Sequence, residues 1–145
     1  MADEHINKIG GAPPGRWDPD ALWAGGRVCL MLAIPFRVIA SIVDSDSSGV
    51  NFLFFVLFVS FFVIGAGCAA WVQRVGTPMS HAMVTALGTF AIAEAVFILY
   101  RLVVRQSIPW LSIFLAMSFV SVGAIVGGFL GSRLQAQGLR PSSQR

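Results

Sequence analysis

Charge is what this chain has least of: Asp, Glu, Lys and Arg make up 12% of its 145 residues, against about 25% in an ordinary soluble domain. That is too little charge to clothe a water-facing surface. Lysine is nearly absent; Lys8 stands alone and the other basic residues are all Arg. With the richness in Ala, Gly and Val, this usage points to a high-GC bacterial genome. The net charge of +3 comes from the termini and loop ends. A nucleic-acid surface needs basic residues clustered on one face, and no such cluster exists here. Cysteine is scarce too. Cys29 and Cys68 each sit alone in an apolar run, without the CxxC or Cys/His spacing of a zinc site or a disulfide-exchange enzyme, and read as small packing residues. No nucleophile, acid and metal ligand group together, so the pattern is that of a non-enzyme and calls for no cofactor.

What the chain has in abundance is long apolar runs, and 56% of it is hydrophobic. Crossing a bilayer takes about 20 mostly apolar residues in a helix. Residues 50–72, 82–100 and 108–132 meet that length with Glu94 as their one charged side chain, and residues 28–43 form a shorter run containing Arg37. Extended to its natural limits, the pattern predicts four spans at about 22–43, 50–72, 79–104 and 108–132. The first reaches full length by starting near Leu22 and letting Arg27 snorkel to the headgroups. Pro35 should weaken or bend it by removing one helical hydrogen bond. The expected fold is all-α: a polytopic four-helix transmembrane bundle in one domain, 22–134. Residues 1–21, rich in Gly and Pro, read as a flexible tail without the character of a signal peptide; residues 135–145 read as a second tail.

Orientation follows from the basic residues in loops. Lys8, Arg16, Arg27, Arg74, Arg133, Arg140 and Arg145 fall on one side, and Arg101 and Arg105 on the other. The richer side is expected to be cytoplasmic, which places both termini inside a bacterial plasma (inner) membrane.

An ionised side chain at membrane depth costs at least about 2.5–3.5 kcal/mol on insertion scales, so it has a partner or a task. Arg37 and Glu94 sit equally far below the same boundary, on spans that run in the same direction. They are expected to meet as an intramembrane ion pair. Arg101, seven residues after Glu94, shares its helical face and completes a candidate polar site of Arg37, Glu94 and Arg101. Two roles fit: a fixed pair that sets the packing of spans one and three, or an outward-opening pocket that binds an anion or moves a solute. His81, at the mouth of span three, reads as a hydrogen-bonding residue rather than a ligand.

Gly123, Gly127 and Gly131 recur every four residues along span four. Lipid tails are as apolar as Leu, so membrane helices associate through close packing of small residues. Gly67 and Ala70 offer a matching face on span two. The five residues form a candidate packing face, either within one chain or as the seam of a homodimer or a contact with another membrane protein. The span-two and span-four ends also look alike, Gly-Ala-Gly before Arg74 and Gly-Gly before Arg133, as though two parallel hairpins were related.

With Arg37 in span one, these Gly-rich ends and the Pro/Gly-rich leading tail, residues 22–134 resemble the small four-span membrane proteins of actinobacterial type, a group that implies no assigned activity. The small multidrug exporters share the size and span count. Their membrane-embedded Glu belongs to the first span, where this chain has Arg37, so a drug/proton antiport is not implied. The sequence therefore suggests a non-catalytic accessory or interaction subunit of a membrane assembly, with the lipid bilayer and a second copy or another membrane protein as partners. The alternative is a small oligomeric transporter or channel using the Arg37/Glu94 site.

Overall fold

The first helix starts on the dipeptide Asp18-Pro19. The Asp18 carboxylate accepts hydrogen bonds from the backbone N–H groups of Asp20 (3.1 Å) and Ala21 (3.4 Å), and proline occupies the first turn, where its missing donor costs nothing. The computed structural model describes residues 16–43 and 47–139, the side chains of Ser41 and Ile42 excepted. Within these lie four helices: α1 (Pro19–Ile42), α2 (Ser48–Val72), α3 (Pro78–Val103) and α4 (Trp110–Ala136). At about 1.5 Å per residue each is longer than the roughly 30 Å hydrocarbon layer. All four are long and apolar enough to cross a membrane. α1 continues through Pro35.

The tail boundaries differ from the sequence expectation at both ends. Residues 18–21, expected in the leading tail, cap and open α1, and Asp18 is fully buried. Gln135 and Ala136, expected in the trailing tail, are still helical. Residues 1–15, the acidic turn residues 44–46, and 140–145 lie outside the described residues.

The helices alternate in direction, so the start of α1, the α2–α3 turn and the end of α4 share one end of the bundle, here called the termini end. α2 packs on α1, α3 and α4, and α3 packs on α1 and α4. Among the described residues no Cα of α1 comes within 8 Å of one in α4. A two-fold axis relating hairpin α1–α2 to hairpin α3–α4 would make α1–α4 as close as α2–α3. The two hairpins suggested by the glycine-rich stretches are therefore not arranged about a two-fold axis.

Each helix buries one stripe of small or aromatic residues at helical spacing: Phe58, Phe62, Ala66 and Ala70 on α2; Ala82, Ala86 and Phe90 on α3; Ala116, Val120, Ala124 and Gly127 on α4. The opposite faces present large apolar side chains such as Met31, Val38, Phe52, Ile92, Leu111 and Phe129. In water, so much contiguous apolar surface would drive association; in lipid it is the solvated face.

Candidate functional site

Residue size grades the interior from one end to the other. At the termini end the backbones nearly touch. A Cβ on Gly127 would run into the Val63 carbonyl oxygen and one on Gly131 into that of Gly67, with Ala70 Cβ 2.8 Å away. Gly123 faces Val59 and Val63 of α2 more loosely, with the nearest atom at 3.1 Å from such a Cβ. The five small residues singled out in the sequence thus lie along the α2–α4 contact of one chain. A second crossing was not foreseen: Gly25 of α1 lies on Gly65 of α2, where a Cβ on Gly65 would collide with the Cys29 sulfur. Its sequence signal, Gly25-Gly26 beside Cys29, lay where the first span seemed only to be starting. Cys29 and Cys68 are both free thiols.

The same end carries a polar cluster that sequence reasoning missed. Asp18 Oδ2 accepts from the Arg74 backbone N–H (3.0 Å) and from its guanidinium Nε (3.4 Å), while Arg74 Nη2 reaches Asp20 at 3.0 Å. The Asp18 backbone N–H donates to His81 Nε2 at 2.9 Å, and Nδ1 of that ring lies 2.9 Å from the Thr77 carbonyl oxygen. Because Nε2 accepts, the proton belongs on Nδ1, where it is donated to Thr77. His81 is fully buried against the edge of Trp17. Gln73 completes the cluster. Its Oε1 accepts from the N–H groups of Val75 and Gly76, and its amide nitrogen donates to Gln135 Oε1 at 3.1 Å. The cluster thus ties the start of α1 and the end of α4 to the α2–α3 turn, with its buried polar atoms satisfied. A helix start at Asp-Pro-Asp was the available signal.

At the opposite end α2 carries phenylalanines instead of glycine and alanine, and they hold the helices apart. A crevice of about 410 Å³ opens there between the four helices, with walls that include Phe36, Phe54, Phe55, Phe119, Ser112 and Arg37. Arg37 Nη2 lies 3.1 Å from Glu94 Oε1 and 3.5 Å from Oε2. The carboxylate is buried, with the Glu94 side chain 6% exposed, while 36% of the Arg37 side chain remains accessible. The guanidinium also sits over Phe97 (4.4 Å to the ring centre) and near Phe58 (5.4 Å), contacts that hold a cation by the ring quadrupole.

The structure places Arg101 differently from its candidate partners. It shares the Phe97 ring at 4.8 Å, but its Nη1 donates to the Ser107 carbonyl oxygen at 2.6 Å. That bond turns the guanidinium toward the α3–α4 turn, and no Arg101–Glu94 ion pair occurs among the described residues. Arg101 Nε is buried without a hydrogen-bond partner there. Thr89 Oγ1 bonds back to the Thr85 carbonyl oxygen at 2.7 Å, while the buried Thr85 hydroxyl has no partner among the described residues.

Chemically, the crevice offers one accessible cation backed by a buried anion, a hydroxyl and an aromatic wall. It suits binding. Among the described residues no three His, Cys, Asp or Glu side chains converge to hold a metal ion. Compared with known proteins, the chain matches no family model, no curated protein and no solved structure.

Proposed function

We propose that the protein is a non-catalytic, multi-pass protein of a bacterial plasma membrane, with both termini cytoplasmic, acting as an accessory or interaction subunit of a membrane assembly. The observation that carries this reading is the closed middle of the bundle. Phe58, Phe62 and Phe90 stack edge to face, with ring centres 5.1–6.5 Å apart, and Phe62 and Phe90 are buried behind the floor of the crevice. Among the described residues these three rings fill the middle of the bundle between the crevice and the termini end. The orientation rests on Arg16, Arg27, Arg74 and Arg133 at the termini end against Arg101 and Arg105 at the other, by the excess of basic residues on the cytoplasmic side.

A second reading, a small oligomeric transporter or channel, is favoured by one observation: the Arg37/Glu94 pair lines an open crevice. Conduction would require the three phenylalanines to part, or a path between chains.

The test is mild-detergent purification of the tagged chain from its native membranes, followed by masses of the intact assemblies. A foreign subunit at fixed stoichiometry, which recaptures this chain when itself tagged, supports the accessory role. A pure homo-oligomer whose solute flux disappears in the Arg37→Gln/Glu94→Gln double variant supports transport instead.

A further inference from the structure

The crevice has features that select a ligand. Its volume, about 410 Å³, falls within the roughly 300–1,000 Å³ of ligand sites. Its depth is that of a boundary. Arg37 lies five residues before the end of α1, roughly 8 Å at helical rise, and Pro109 and Ser112 line the crevice from the very start of α4. A molecule seated there has one part in hydrocarbon and one part among headgroups.

Its polarity is one-sided. Arg37 and Glu94 both line the crevice, but the Glu94 side chain is 6% exposed against 36% for Arg37, so the cation presents the larger accessible polar surface. Glu94 is reached through Nη2, one of the three guanidinium nitrogens. α4 begins at the same level with no side-chain cap; its Trp110 N–H bonds the Ile108 carbonyl oxygen at 3.0 Å, and the first turn of a helix carries positive partial charge. Arg37, the more accessible member of the pair, and the start of α4 thus put hydrogen-bond donors at one mouth. Apart from Glu94 and Ser112 the rest of the lining is apolar and includes Phe36, Phe54, Phe55 and Phe119.

We propose that this crevice binds one anionic phospholipid, with a phosphate oxygen accepting from Arg37 beside the first turn of α4 and an acyl chain lying along the four phenylalanines. Arg37 is then held between a buried carboxylate and a lipid phosphate, which matches a guanidinium with donors on several edges. The proposal rests on the membrane reading above.

The test uses the full chain, purified in mild detergent and titrated with phosphatidylglycerol or with phosphatidylcholine of the same acyl chains, with bound lipids counted by intact-assembly mass spectrometry. The expected result is saturation at one phosphatidylglycerol per chain, with phosphatidylcholine binding at least tenfold more weakly. Ser112→Trp, which fills the mouth from an exposed position, should weaken phosphatidylglycerol binding at least tenfold. Ser118→Trp, equally bulky but outside the crevice lining, should not. The Arg37→Gln/Glu94→Gln variant, which removes both charges together, should lose the preference between the two lipids.

A non-saturating ladder common to both lipids, or undiminished binding in Ser112→Trp, overturns the assignment. So does a wild-type dimer that Ser112→Trp splits, since a second copy then occupies the crevice. Recovery of the chain in the soluble fraction sinks the membrane reading itself; a membrane-integrated chain without a saturable lipid sinks this proposal alone.

Discussion

The two ends of this bundle are built on opposite principles. At the termini end, Gly65, Gly67, Gly127 and Gly131 bring backbones into contact, and Asp18, Arg74, His81 and Gln73 bind loop to helix. At the other end, the phenylalanines of α2 prop the helices apart and leave a crevice with one ion pair on its wall. Close packing and satisfied hydrogen bonds supply cohesion where no hydrophobic force acts between helices. The wider end gives up that cohesion and gains an accessible site. Rigidity at one end makes a stable opening at the other affordable.

The strongest way to break this contrast is to force the tight end apart. Gly127→Leu must displace the Val63 carbonyl, since backbone cannot move aside as a side chain can. Overpacking costs typically about 1–3 kcal/mol and more where backbone is struck, so we expect a loss of about 3 kcal/mol or more. It should appear as low yield and a broad size-exclusion profile. A well-folded Gly127→Leu monomer that had merely lost a dimer would show that this glycine serves a seam between chains.

Next in size is Asp18→Ala. It removes the α1 cap, worth about 0.5–2 kcal/mol, together with two acceptor contacts to Arg74. The partly exposed Arg74 side chain can return to water, which limits the loss, and we expect about 2 kcal/mol in all. Thermal unfolding in detergent should show a clear drop in Tm. An unchanged Tm would mean that the termini end is held by the glycine crossings alone.

Glu94→Gln tests the open end and should cost less, about 1–2 kcal/mol. Breaking a fully buried pair costs about 3–5 kcal/mol, but Arg37 is one-third accessible and keeps its contacts with Phe97 and Phe58. If Glu94→Gln proved as damaging as Gly127→Leu, the pair would be the keystone of the bundle and the contrast between the ends would fail. Unaltered yield and Tm would instead free the pair from any structural duty.

The smallest effect should be a gain. Arg105 closes α3 with φ of 57°, and the Gln106 N–H bonds the Arg101 carbonyl oxygen at 2.9 Å, a helix end where glycine is favoured. A left-handed residue other than glycine costs about 1–2 kcal/mol. Arg105→Gly should therefore stabilise by about 0.5–1 kcal/mol after the added flexibility of glycine is offset. A fall in Tm would mean that the Arg105 side chain contributes more at this end than its backbone costs.

The number of helices was legible in the apolar runs, because apolar length is a property of the run itself and needs no partner; their ends at Pro19 and Ala136 were not. The level shared by Arg37 and Glu94 was legible too, since helical rise converts residue counts into depth. Arg101 was not. Helical spacing placed it on the Glu94 face, but the carbonyl of Ser107 became available only once the α3–α4 turn had formed. The Asp18 cluster stayed hidden for a related reason: its members come from residues 18–20, 73–81 and 135, and nothing local joins them.

Hydropathy by itself determined that this protein is a set of four long apolar helices, because in lipid both the buried and the solvated face are greasy and every backbone hydrogen bond must close within the helix. For the same reason hydropathy could not say which face turns inward. Tertiary structure alone decided that: small side chains admit a neighbouring backbone and large ones meet lipid. It thereby decided which glycines cross which, that α1 and α4 stay apart, and that the space left over lies beside Arg37.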